Sequence, residues 1–323
     1  MALHVIVGFG AIGRGAAGLL LEQGHEVRVV TRSGGPEKGA GEAGGGPATH
    51  ISLDATDAEA LTRAARGAAV LYNCASPAYH RWTTEWPPLA AALLTAAEAT
   101  GAVLATVSNL YGYGPVPGPM TEATPLRPPG PKGRVRARMW LDALAAHEAG
   151  RVRATEIRAS DYIGPGAQSP LGDRIVPRLL AGRAVQVLGS ADAAHSWSYV
   201  GDVARLLVTV GADPRAWGRP WHVPSNPPRT QREAIADMAR IAGVPPVRVR
   251  VMPKSMLRLA GLFSPVVREL PEVAYQMKRP FILDSTAAEA AFGLRPTPWE
   301  HVLAETITFF LRPQASVGAI APR

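Results

Sequence analysis

The stretch Val5-Ile6-Val7-Gly8-Phe9-Gly10-Ala11-Ile12-Gly13-Arg14-Gly15 runs from an apolar strand through spaced glycines into a helix, marked by the stripe Ile12, Ala16, Leu19 and Leu20. A G-x-G-x-x-G pattern that ends a strand and opens a helix is the signature of a dinucleotide-binding turn. Gly8 permits the tight turn, Gly10 lets a pyrophosphate approach the backbone, and Gly13 lets the helix pack against the sheet. The N–H groups of the first helical residues, Ala11 and Ile12, and the positive end of the helix dipole face the phosphates.

Gly24 stops that helix, and Glu26-Val27-Arg28-Val29-Val30 reads as a second strand ending in Thr31-Arg32-Ser33. In a dinucleotide fold an acid about 20 residues beyond the glycines holds the ribose hydroxyls. Here Thr31 takes that place, and no acid follows before Glu37. A carboxylate would repel a 2′-phosphate, whereas Thr31, Arg32 and Ser33 donate to one, with Arg32 offering a planar fork. The expected cofactor is therefore NADP(H) rather than NAD(H).

Farther on come Ile51-Ser52-Leu53-Asp54-Ala55-Thr56-Asp57, an Ala-rich helix, and the buried strand Ala68–Ala75 ending in Asn73-Cys74-Ala75. The glycine pattern, a strand ending in D-x-x-D and a strand ending in N-x-A together resemble the short-chain dehydrogenase/reductase superfamily. The resemblance implies that Asp54 caps the adenine amino group. It also implies that Ala75 passes beside the nicotinamide ribose. Beyond Asp161 the chain resembles the extended, epimerase/dehydratase-like branch, in Ile175–Gly182, in Ser196-Trp197-Ser198-Tyr199-Val200-Gly201-Asp202-Val203-Ala204, and in Leu283-Asp284-Ser285 with Phe292-Gly293-Leu294 and Pro298. The expected fold is α/β, a doubly wound parallel Rossmann sheet with a smaller C-terminal α/β substrate lobe. The expected division is a dinucleotide domain over 1–165, to which 196–223 returns, and a substrate lobe from 166–195 and 224–323.

The branch's active site is a Ser or Thr after a strand and a Tyr-x-x-x-Lys on the next helix. Here Val103–Val107 leads into Ser108-Asn109-Leu110-Tyr111-Gly112-Tyr113-Gly114. Setting Tyr113-Gly114 against the family's Y-G puts Asn109 at the Ser/Thr position; the other register, on Tyr111-Gly112, puts Val107 there. The first keeps Ser108 at the strand end. On the helix, Lys132 stands in place of the Tyr and Arg136 in place of the Lys, where Arg136 would bind ribose hydroxyls. No tyrosine lies between Tyr113 and Tyr162, so the usual proton donor is missing. Tyr111 is the first substitute, with a pKa that a neighbouring Lys132 or Arg136 would lower; Lys132 is second and Asp161 third. The leading expectation is an NADP(H)-dependent oxidoreductase acting on a small carbonyl or alcohol. The alternatives are a cofactor-assisted epimerase, dehydratase or other lyase, and a non-catalytic NADP(H) sensor.

The rest of the composition bounds these readings. The 323 residues, 47% hydrophobic, are ample for one large core or a nucleotide domain with a smaller lobe. No apolar run reaches membrane-spanning length and no leader pattern is present, so a cytoplasmic protein with a small-molecule substrate is expected, as monomer or homodimer. The single Cys74 can form no intrachain disulfide. The eight histidines are scattered with no metal-ligand spacing. The charge of +8 and pI near 10.0 raise nucleic acid or membrane as partners. The arginines are spread along the chain without interleaved aromatics, so neither partner is expected. Residues 34–47 read as a Gly-rich surface loop, and 114–131 as a Pro-rich segment over the mouth of the site.

Overall fold

The computed structural model describes residues 1–34 and 48–312. The loop expected at 34–47 lies outside them but for Gly34. The chain alternates strands and helices: β1 (Leu3–Val7), α1 (Ala11–Glu22), β2 (Glu26–Thr31), β3 (Thr49–Ser52), α2 (Ala58–Ala64), β4 (Ala68–Asn73), α3 (Trp82–Thr100), β5 (Val103–Asn109), α4 (Pro131–Glu148) and β6 (Arg153–Ala159). Then come β7 (Asp161–Ile163), α5 (Val176–Leu180), β8 (Val185–Val187), β9 (Trp197–Tyr199), α6 (Val200–Ala212), β10 (Pro220–His222) and α7 (Gln231–Ala242). The chain ends in β11 (Val249–Val251), α8 (Lys254–Phe263), α9 (Pro265–Val273), α10 (Thr286–Phe292) and α11 (Trp299–Leu311).

Seven strands form one parallel sheet in the order β10-β6-β5-β4-β1-β2-β3. This is a doubly wound Rossmann sheet. From β1 the chain steps outward to β2 and β3, then crosses to β4 and proceeds the other way. The crevice beyond the carboxyl ends of β1 and β4 is where such sheets hold ligands. Strands buried on both faces read as near-continuous apolar runs, which is why Val5–Val7 and Val70–Tyr72 were legible. One sheet face packs Ile6, Val29 and Tyr72 under Val203, Leu206 and Leu207 of α6. The other packs Val5, Leu71 and Leu104 under Trp86, Leu89 and Leu93 of α3.

A third core joins Leu171, Ile175 and Leu179 to Ile235 and Met238 of α7 and Val302 and Leu303 of α11. Helix α7 starts where Thr230 and Glu233 form a reciprocal capping box. Two short parallel pairs, β11 with β8 and β7 with β9, complete the strands among the described residues. The pairing of β7 with β9 sets Asp161 opposite Trp197 and draws the Ser196–Ala204 motif to the mouth of the sheet.

Candidate active site

The glycine turn has the geometry that its spacing predicts. Gly8 sits at φ +95°, where a side chain would be strained, and a Cβ there would come within 2.7 Å of the Ala75 backbone. A Cβ on Gly13 would stand 2.2 Å from the Gly8 carbonyl oxygen. A Cβ on Gly10 would meet nothing within 4 Å. Two glycines therefore close the turn against backbone, while the middle one faces open space at the start of α1. The first turn of α1 carries no acid to oppose an anion there.

From this turn a cavity of about 310 Å³ runs past Gly10, Ala11, Ile12 and Ala75 to Asn109, Tyr111 and Asp161. Arg136 also lines it. Its guanidinium is buried, donates to the Val107 carbonyl at 2.5 Å, and lies over the Trp86 ring at 4.5 Å, while its Nε has no partner. Burial lowers its pKa. An unpaired buried N–H beside the cavity suits a ribose hydroxyl. Thr31, Arg32, Ser33 and Asp54 are not among the residues lining this cavity; Thr31 Oγ1 accepts from the Gly34 N–H at 3.1 Å, and Arg32 and Ser33 are exposed. Asp54 is exposed and takes the N–H and Oγ1 of Thr56 at 3.0 and 2.9 Å, which lowers its pKa, with a small further pull from Arg32.

At the inner end the arrangement departs from the sequence expectations. Asn109 Oδ1 accepts from the Tyr111 N–H at 3.1 Å and so caps the short turn after β5. Tyr111 lies against Trp82, ring centroids 5.8 Å apart, with its hydroxyl 3.5 Å from that of Tyr79. Burial pushes its pKa well above the ordinary phenol value. This is the reverse of the expected lowering, because no cation is free to oppose desolvation. Lys132 is 2% exposed and is not among the residues lining the cavity. Its ammonium is held by Glu269 and Glu272 of α9, and its backbone N–H donates to Glu272 at 2.7 Å. Lys132 thus latches α4 to α9. The Pro-rich segment 114–131 contributes no lining residue; its Met120 bridges to Leu283 instead, and Gln276 and Phe281 cover that side of the cavity. Tyr113 is buried in a separate network, accepting from Arg158 and bonded to His222, each at 2.7 Å.

Asp161 has a partner that the sequence did not suggest. His195 is 2% exposed, and its Nε2 stands 2.9 Å from Asp161 Oδ2, at an angle oblique for a hydrogen bond. Its Nδ1 faces the Gln276 carbonyl at 3.3 Å. A carbonyl only accepts, so Nδ1 carries a proton and Nε2 turns to the carboxylate. Asp161 itself lines the cavity. Cys74 lines the cavity too, with its thiol pushed up to about 12 by burial. His80, on the turn after β4, is exposed. Among the described residues no group of three or more His, Cys, Asp or Glu is placed to hold a metal.

The family model of the NAD dependent epimerase/dehydratase family matches residues 5–223. The chain belongs to this family. Members of the family are enzymes, and the match takes in the glycine turn, Asn109, Tyr111, Asp161 and His195. A search of curated proteins finds no match. Among solved structures, the chain resembles a dTDP-glucose 4,6-dehydratase from Bacillus anthracis in complex with NAD, at 17% identity and TM-score 0.79 over 97% of this chain and 98% of that one. It also resembles a UDP-glucose 4-epimerase from Thermotoga maritima with UDP-glucose, at 20% identity and TM-score 0.77 over 96% and 98%. A UDP-N-acetylglucosamine 4-epimerase from Methanobrevibacter ruminantium is similar at 17% identity and TM-score 0.78, again over 96% and 98%. At such identities these likenesses establish the fold.

Proposed function

We propose that the chain is an NADP(H)-dependent oxidoreductase acting on a small uncharged carbonyl or alcohol. The observation that carries this reading is one continuous cavity with an open glycine cradle at one end and the Asp161–His195 pair at the other. Gly8, Gly10 and Gly13, with the N-terminus of α1, would hold the pyrophosphate. Thr31, Arg32 and Ser33 would hold the 2′-phosphate, Asp54 the adenine, and Ala75 and Arg136 the nicotinamide ribose. When bound, the dinucleotide supplies or accepts a hydride.

The chain's own part is to place the substrate oxygen and move a proton. Asp161 gives the proton to that oxygen in the reducing direction and takes it back in the oxidising one, and His195, 2.9 Å away, orients the carboxylate. Tyr111, kept neutral by burial, donates a hydrogen bond to the same oxygen. Among the described lining residues Arg136 is the only cation, and its guanidinium already serves Val107 and Trp86. Nothing else of positive charge meets a diphosphate there, which favours an uncharged substrate over a sugar nucleotide.

The family match favours one other reading, a cofactor-assisted epimerase or dehydratase with no net change in the dinucleotide. The test is to offer a panel of aldehydes and ketones with NADPH, and sugar nucleotides with NADP⁺, and to follow absorbance and product. Net oxidation of NADPH by an uncharged carbonyl supports the proposal. Product from a sugar nucleotide with no net change in dinucleotide overturns it for the lyase or epimerase reading.

A further inference from the structure

The hairpin of α8 and α9 carries an apolar surface that nothing in the described chain covers. Met256, Leu259, Leu262, Phe263 and Val266 are 46, 60, 68, 83 and 44% exposed. With Val251 they make six of the nine large hydrophobics exposed among the described residues, all within sixteen positions of a 323-residue chain. Met256, Leu259 and Phe263 fall at i, i+3 and i+7, one stripe of a helix. Scattered exposed apolar residues are ordinary, but a contiguous cluster marks an interaction surface.

The charge of the same segment identifies the partner. Residues 248–279 hold seven lysines and arginines and two acids, a formal +5 of the chain's +8. The view that the basic residues are evenly spread therefore fails here. Both acids, Glu269 and Glu272, turn inward to Lys132. Arg250, Arg258 and Arg268 are exposed, so the outer face is left cationic as well as apolar. Arg268 also donates to the Gly261 carbonyl at 3.2 Å, tying the two helices into one unit. No described helix is long and apolar enough to cross a bilayer. A short amphipathic helix with bulky apolar residues and arginines around them is built to lie in the headgroup region of an anionic membrane.

We infer that the α8–α9 hairpin docks this protein onto an anionic lipid surface. Leu262 and Phe263 insert below the headgroups, and Arg250, Arg258 and Arg268 pair with lipid phosphates. The test is co-sedimentation of the full chain with vesicles of neutral phosphatidylcholine alone and with about a third phosphatidylglycerol. Partition onto the anionic vesicles should exceed that onto neutral ones by at least tenfold and fall at least tenfold in 0.5 M salt, as screening demands. Leu262→Ser with Phe263→Ser should lower anionic binding at least tenfold, and so should Arg250→Glu with Arg258→Glu. All four side chains are exposed, so dinucleotide affinity and thermal stability should stay at the wild-type value. Where one pair disturbs folding, the other decides. Equal binding to both vesicle types, or none to either, overturns the inference. So does a mass in solution showing a dimer that the Leu262/Phe263 pair dissociates, since a second copy then covers the face.

Discussion

Replacing Lys132 by Met separates a structural cation from a proton donor. In the structure its ammonium is 2% exposed and sits between Glu269 and Glu272, whose side chains are 33% and 17% exposed. Removing one member of a fully buried ion pair costs about 3–5 kcal/mol, because the remaining charge is stranded. Water reaches both glutamates here, so the expected cost of Lys132→Met is lower, about 2–3 kcal/mol. Lost attraction to the Tyr79 face, 5.0 Å from Nζ, is a minor addition. For a chain of 323 residues that corresponds to a fall in Tm of roughly 3–4 °C. Calorimetry or denaturant unfolding reads it directly. Adding Glu269→Gln and Glu272→Gln to Lys132→Met should recover at least half of the loss, since no stranded charge remains. An unchanged Tm with a hundredfold drop in hydride transfer would refute the latch and restore Lys132 to the tyrosine's role.

Asp161→Asn should lower turnover by about 10²–10⁴-fold with dinucleotide affinity nearly unchanged, as loss of a general acid does. Single-turnover kinetics with affinity measured alongside checks this, and full activity would remove Asp161 from the chemistry. Tyr111→Phe removes one neutral hydrogen bond, so the expected loss is only about tenfold; a loss as large as that of Asp161→Asn would make Tyr111 the donor. Arg32→Ala should cost about one to two decades in NADPH affinity and almost nothing in NADH affinity, because only the 2′-phosphate meets the guanidinium. Burial holds the His4 imidazole down at about 4, against an ordinary 6.5. The unfolded chain then binds the proton first, so His4 should contribute stability above pH 6.5 that is lost as pH falls toward 4. A flatter acid limb of the stability curve in His4→Phe is the expected result, and an identical one would show that burial there is tolerated charged.

What the sequence disclosed is what is local in it. Gly8, Gly10 and Gly13 shape the backbone of one local turn, so their spacing alone disclosed that turn. The apolar strands and helices were legible for the same reason: the helix expected to carry Lys132 and Arg136 runs Pro131–Glu148. The site's inner end was not legible, because its partners are distant in the chain. The glutamates that hold Lys132 lie 137 and 140 residues away. His195 meets Asp161 only because β7 pairs with β9, and three-residue strands leave little periodic signal. The direction of the Tyr111 shift depends on burial and on where Lys132 points, and neither follows from its neighbours in sequence.

The central claim is that the open face of Gly10 holds a dinucleotide phosphate, and Gly10→Val tests it most directly. A Cβ at this position meets no protein atom within 4 Å, so the fold should tolerate valine and Tm should stay within about 2 °C, the ordinary range for a surface substitution. Isothermal calorimetry should show tight NADPH binding by the wild type and none by Gly10→Val. Equal NADPH affinity in both proteins would mean that the turn is only a turn, and the functional account built on it would fall.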